Sequence, residues 1–316
     1  MSKKVVCFGE MLWDCFPDYE IAGGAPMNVA LNLQQLGLNI QMISRLGEDE
    51  KGIALRDFVS SYGLPTTLIQ TDPVHPTGKV VVDNRDRENI RYTIVSPVAW
   101  DFIDLTEENM KAVDDAAAFI FGSLSVRNNK SWDTLHQLLH TKTLKIFDIN
   151  LRAPFYDFEK IEIVLGFTDI LKINEEELMI VADHLGISVE EEYSAFPINL
   201  NPNSKDGKSF RISPVSQKLC EFLTQHFPIQ MVCITLGSQG ALLYQKGVFF
   251  QHAGYQVQVE DTVGSGDAFL SGFVKTYLEG SSPGEILDFA CKLGAFVATK
   301  KGGTPKYRIE EIDKIS

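Results

Sequence analysis

The sequence predicts an α/β protein in which a mostly parallel central sheet is flanked by helices. Three observations carry that prediction. Short β-rich runs recur along the chain, stretches with helical spacing lie between most of them, and the clearest helix follows a glycine-rich turn. A chain of 316 residues exceeds the usual size of one domain, yet large α/β folds of that length remain single units around a sizeable core. We therefore expect one domain over residues 1–316 with a local elaboration.

The run VVCFG opens the sheet. A helix is expected from Pro26 towards Leu36, because Pro26 is tolerated in a first turn and Gly37 stands just past the end. QMISRLG gives the next strand. Between His75 and Val95, GKVVVDNRDRENIRYTIV reads as two strands around a charged turn. This hairpin breaks the α/β rhythm and forms a small β lid over about residues 66–98. AAFIFGS, KIFDIN, DILKIN and MVCITLG continue the sheet. Residues 192–214 are polar and rich in Asn, Ser and Pro. They read as an insertion, since a structureless loop of that length is uncommon inside a compact domain. In the last clear helix Phe269, Leu270, Phe273, Val274, Tyr277 and Leu278 share one face, and Gly280 ends it.

A formal net charge of -13 repels phosphodiester backbones and anionic membranes, so nucleic acid and membrane are not expected partners. Any anion handled here must be met by a local site. Cys7, Cys15, Cys220, Cys233 and Cys291 form no CxxC pair, and their odd number argues against a disulfide framework. The apolar start is interrupted by Glu10 and Asp14 too soon for a signal peptide or a membrane span. The expected location is the cytoplasm.

The stretch DTVGSGDAFLSGF, Asp261 to Phe273, carries the chemistry. Where a helix begins, its first amides lack intrahelical partners and the macrodipole adds roughly half a positive charge, which makes an anion site. Glycines at 264 and 266 let a bulky phosphate approach the backbone. Asp267 beside a phosphate is electrostatically unfavourable unless it has a task, and accepting a proton from an attacking hydroxyl is a suitable one. The alternative is a plain turn with an acid supporting the first helical turn. No GxxxxGKS or GxxxxGKT occurs, which excludes a P-loop enzyme at the level of motif, and the full dinucleotide fingerprint is absent.

GGAPMNVALNLQQLGLNIQMISRLG, from Gly23 to Gly47, resembles the N-terminal signature of the ribokinase/PfkB sugar kinase family, with Gly23, Gly24, Asn28, Ala30, Gly37 and Gly47 in register. DTVGSGDAFLSGFV resembles the C-terminal signature over its whole length. The resemblance implies a ribokinase-like fold and phosphoryl transfer from ATP to a sugar hydroxyl. It assigns Gly264, Ser265 and Gly266 to the anion hole and Asp267 to the catalytic base. Asp14, Gly23, Gly24 and Asn28 match the sugar site, where carboxylate, amide and bare backbone suit a polyol. Arg152, in the frame DxNxR with Asp148 and Asn150, contacts substrate or phosphate, or else forms an ion pair with Asp148.

Asn174 and Glu177 match the family's NxxE motif, associated with magnesium through water; the same pair also reads as a capping box. ITLGSQGALLY resembles the nucleotide loop and places Thr235, Gly237 and Gly240 near ATP, or else forms a hairpin turn after a buried strand. Asp261 resembles a monovalent-cation site, which admits potassium. Cys291 stands where relatives carry Asn or His, a departure at the adenine border. FDINLR and YTIVSPVAWDFI resemble the fructokinase branch, so conversion of fructose to fructose 6-phosphate is the expected reaction. Another sugar, 2-keto-3-deoxygluconate or a sugar phosphate held by Arg85, Arg87 and Arg91 is the alternative within the class. A non-catalytic sugar or nucleotide sensor is the alternative outside it. The hairpin is expected to close over the sugar, and relatives form homodimers through such lids.

Overall fold

The structure, a computed structural model, describes residues 3–83, 91–187 and 212–315. The charged turn of the hairpin and nearly all of the polar insertion lie outside the described residues. In chain order the strands are β1 Lys4–Phe8, β2 Leu12–Cys15, β3 Glu20–Gly23, β4 Asn39–Gly47, β5 Ile69–Asp72, β6 Gly78–Asp83, β7 Arg91–Ile94, β8 Ala118–Gly122, β9 Leu144–Asp148, β10 Ile170–Asn174, β11 Met231–Thr235, β12 Ala241–Gln245 and β13 Val248–His252. The helices are α1 Ala25–Gln35, α2 Glu50–Ser60, α3 Glu107–Asp114, α4 Asn129–Leu139, α5 Phe158–Leu165, α6 Glu175–His184, α7 Pro214–His226, α8 Ser265–Glu279, α9 Pro283–Ala298 and α10 Ile309–Ile312.

The large sheet has the order β13-β12-β11-β10-β9-β8-β1-β4-β5. From β11 to β5 every neighbouring pair is parallel, and β12 and β13 are added antiparallel at one edge. Successive strand residues point to opposite faces, and here both faces are buried. Val6 and Phe8 join a core with Leu135, Leu171 and Leu219, on the side of α4 and α7. Val5 and Cys7 join another with Leu31, Phe273 and Leu287, on the side of α1, α8 and α9. That double burial explains why the parallel strands read as continuous apolar runs.

The lid differs from a simple hairpin. β6 and β7 pair antiparallel as expected, but β2 adds in parallel beside β6 and β3 pairs with β2, giving a four-stranded sheet of order β3-β2-β6-β7. Its lower boundary also moves. β5 belongs to the large sheet, paired with β4 from Ser44 against Ile69 to Gly47 against Asp72, so the hairpin part of the small sheet begins at Gly78. The chain between β1 and α1 thus builds part of the small sheet, and it brings Asp14 with it.

Candidate active site

A cleft lies between the small sheet and the carboxyl ends of β9, β10 and β11, where ligands bind in open parallel sheets. Its third wall is the start of α8. Gly264 is the N-cap, left-handed at φ 72°, and an added Cβ would fall 2.2 Å from Cα of Gly303, so the fold itself requires glycine there. Gly266 is different. A Cβ on it would meet nothing closer than Nζ of Lys172 at 3.7 Å, and the residue borders the cleft. Only a ligand pressed against the backbone would need that position bare.

Ser265 is turned to other work. Its amide donates to the Thr262 carbonyl at 3.2 Å and its hydroxyl to that of Gly294 at 3.0 Å. It does not border the cleft. The side chain expected to help the anion hole therefore packs α8 on α9, and the first-turn amides of Gly266 and Asp267 remain for an anion.

Asp267 reaches the same cleft and accepts a hydrogen bond from Nδ2 of Asn28 at 2.8 Å. Burial and the nearby Asp148 carboxylate push its pKa up to about 6, against the lowering effect of Asn28, Lys172 and Arg152. Asn28 is held in turn: its side chain packs where a Cβ on Gly303 would lie, only 2.7 Å from Nδ2. The glycine at 303 thus makes room for the amide that fixes the acid.

Across the cleft, Asp14 sits on β2, its pKa raised to about 6 by burial and then by Asp267. A Cβ on Gly23 would lie 2.4 Å from Oδ2 of Asp14, so Gly23 makes space for that carboxyl without bordering the cleft itself. Gly24 borders the cleft at φ 113°, where a Cβ would strike the Glu10 carbonyl at 2.5 Å. Glu10, met in the sequence only as an interruption of an apolar run, also lines the cleft.

The strand ends contribute a buried ion pair. Asp148 and Lys172 occupy facing register positions on β9 and β10, and Nζ lies 2.8 and 2.9 Å from the two carboxylate oxygens. Burial alone would strip the lysine of its proton; Asp148 more than offsets this and keeps it charged. The expected alternative partner of Asp148, Arg152, is corrected here: its Nη1 donates to the Leu151 carbonyl at 3.0 Å and the exposed side chain borders the cleft. Lys172 wins because strand register sets it directly beside Asp148. Asn150, between them in the chain, takes φ 40° and also lines the cleft; Asn tolerates that region better than most residues.

Asn174 and Glu177 form a reciprocal capping box at the start of α6. Oε2 of Glu177 accepts from the Asn174 amide and Oε1 from the Leu151 amide, both at 2.9 Å. Burial and Asp148 raise its pKa. With both oxygens already engaged, the carboxylate suits a hydrated cation met through water better than direct ligation. Asp261 is similarly occupied, accepting from the Val263 amide at 3.0 Å and the Gly302 amide at 3.1 Å. Among the described residues no group of three or more acidic, His or Cys side chains is gathered as a metal cluster.

A family model, pfkB family carbohydrate kinase, matches residues 2–309. The chain belongs to the pfkB family of carbohydrate kinases. Over 321 residues it is 25% identical to the fructokinase of Escherichia coli, covering 96% of this chain and 95% of that one. Its fold superposes on fructokinase with bound ATP from Xylella fastidiosa with a TM-score of 0.82 at 21% identity, covering 99% and 97% of the two chains. It superposes on 2-dehydro-3-deoxygluconokinase from Thermotoga maritima with a TM-score of 0.80 at 22% identity, covering 100% and 98%. The enzyme is thus a phosphotransferase with an alcohol group as acceptor, on a ribokinase-like fold.

In this carbohydrate kinase the cleft gathers Asp14, Gly24, Asn28, Arg152, Asn174, Glu177, Thr235, Asp261, Gly264, Gly266 and Asp267. Gly237 and Gly240 do not border it. Gly240 has a fold-level reason to be glycine, because a Cβ there would sit 1.9 Å from the His252 carbonyl. Of the residues missed in the sequence, Lys172 looked like an ordinary charge within a strand. Its signal was the register that pairs it with Asp148. Arg85 and Arg87 lie outside the described residues, as does the side chain of Arg91. Among the described residues no helix is long and apolar enough to cross a membrane.

Proposed function

We propose that this kinase transfers the γ-phosphoryl group of ATP to a hydroxyl of a neutral sugar, fructose first, to give fructose 6-phosphate. The observation that carries the reading is Asp267, held by Asn28 at 2.8 Å beside the free amides of a helix start. With a pKa near 6 it is mostly ionised at neutral pH yet still basic enough to take a hydroxyl proton. The hydroxyl oxygen attacks phosphorus, its proton passes to Asp267, and the bond to the nucleotide's bridging oxygen breaks. The amides of Gly266 and Asp267 meet the charge on the transferred group. Magnesium brought in with the nucleotide would neutralise phosphate oxygens, with Asn174 and Glu177 holding its waters.

A neutral acceptor is favoured by the charge of the walls. The cleft is lined by Glu10, Asp14, Glu177, Asp261 and Asp267 against Arg152 and Lys172, and Lys172 is already neutralised by Asp148. Among the described residues, a carboxylate or phosphate on the sugar would find one exposed guanidinium and several acids. The 25% identity to a fructokinase supports fructose among neutral sugars. In this reading residues 1–316 act as one domain and the small sheet closes over the sugar to exclude water. Potassium at Asp261 and a homodimer through the small sheet belong to the same reading.

The test is an ADP-release screen of fructose, ribose, 2-keto-3-deoxygluconate, fructose 6-phosphate and adenosine with ATP and magnesium. The reading expects fructose to give the highest turnover. Preference for an acid or phosphorylated sugar would overturn the neutral-acceptor assignment, and potassium-independent turnover would remove the cation at Asp261.

A further inference from the structure

Two buried polar atoms on residues of the cleft wall lack a protein hydrogen-bond partner: Oδ1 of Asn28 and Oε2 of Glu10. Asn28 is already placed by its Nδ2 bond to Asp267, which leaves its Oδ1 open. Glu10 is not. It lies two residues past the end of β1, is 2% exposed, and its main chain is pinned beneath Gly24. Arg127 is close enough to act on it electrostatically, with Nε and Nη2 bonded to Asp101 at 2.7 and 2.8 Å and Nη2 also to the Val95 carbonyl at 2.7 Å, while its Nη1 is buried without a partner and makes no hydrogen bond to Glu10. Burial raises the Glu10 carboxyl to about 7, with Asp267 adding to the rise and its own amide, Arg152 and Arg127 opposing it. An unpaired carboxyl oxygen in such a place is costly unless a ligand completes it.

We propose that Glu10 is a sugar-positioning residue, its Oε2 pairing with a hydroxyl of the neutral acceptor other than the one that attacks phosphorus. The inference rests on the sugar kinase reading above. A carboxyl near neutrality can either accept from or donate to a hydroxyl, so it suits a polyol. In its ionised form it would repel an acid group presented at the same point, which makes Glu10 a determinant of the neutral class.

The experiment compares the native enzyme with Glu10→Gln and Glu10→Ala, measuring fructose KM, ATP KM, kcat and melting temperature. We expect fructose KM to rise about tenfold or more in Glu10→Ala and less in Glu10→Gln, with ATP KM unchanged. In Glu10→Gln the preference for fructose over 2-keto-3-deoxygluconate should narrow. Folded variants with unchanged fructose KM would overturn the proposal, leaving a carboxyl that holds only a buried water. Equal rises in both KM values together with a lowered melting temperature would overturn it as well, because that is what a purely structural role predicts. If Glu10→Ala does not fold, the isosteric Gln variant decides alone. A native enzyme that phosphorylates none of the sugars sinks the kinase reading and this proposal with it, whereas native turnover with an unaltered Glu10→Gln profile sinks this proposal only.

Discussion

Nδ2 of Asn28 lies 2.8 Å from Oδ2 of Asp267, joining the first turns of α1 and α8 across 239 positions of sequence. The two signature segments of the family thus meet in one hydrogen bond. Because the Asn28 amide favours the ionised acid, Asn28→Ala should move the acid limb of the turnover profile to higher pH and lower activity most at mildly acid pH. A pH-rate profile checks this; an unshifted limb would mean that the bond does not tune the base.

Asp267 also makes a stability prediction of definite sign. Its folded pKa, about 6, lies above the ordinary aspartate value of 3.8, so its protonated form favours the fold and ionisation opposes it. Asp267→Asn should therefore be more stable than the native enzyme above pH 6, by about 1–3 kcal/mol given the solvent on the cleft side. The difference should fade as pH falls from about 6 towards 3.8. Urea denaturation at several pH values would reveal it.

The two glycines of the helix start should part company. Gly264→Ala forces a Cβ against Gly303 at a left-handed position and should cost about 2 kcal/mol or more in stability. Gly266→Ala meets no protein obstacle and should keep its melting temperature while losing turnover. Full activity in Gly266→Ala would remove the close phosphate approach from the account.

Lys172→Met would leave Asp148 buried and uncompensated, a change that typically costs about 3–5 kcal/mol. Adding Asp148→Asn should restore much of that stability without restoring activity. Denaturant midpoints for the two single variants and the double variant measure the coupling, and additive losses would show that the pair does not act as a unit.

The large sheet and the helices α1 and α8 were legible because their periodicity is local: apolar runs, Pro26 in the first turn, Gly280 at the end. The lid was legible only in its hairpin. β2 and β3 are four residues each, too short to show a period, and the parallel partnership of β2 with β6 is a non-local pairing. The candidate site divides in the same way. Asp267 and Asn174 stand in local patterns, whereas the Asp148–Lys172 pair depends on register between strands, and Glu10 acquires meaning only once the chain has folded Gly24 over it. The pairing of Arg152 with Asp148 failed for that reason: nearness in sequence was outweighed by nearness across the sheet.

The most direct measurement is fructose-dependent ADP release by the native enzyme and by Asp267→Asn, side by side at neutral pH with ATP and magnesium. The account predicts release by the native protein and a loss of about 10²- to 10⁴-fold in the folded variant. Near-native release by Asp267→Asn would contradict it.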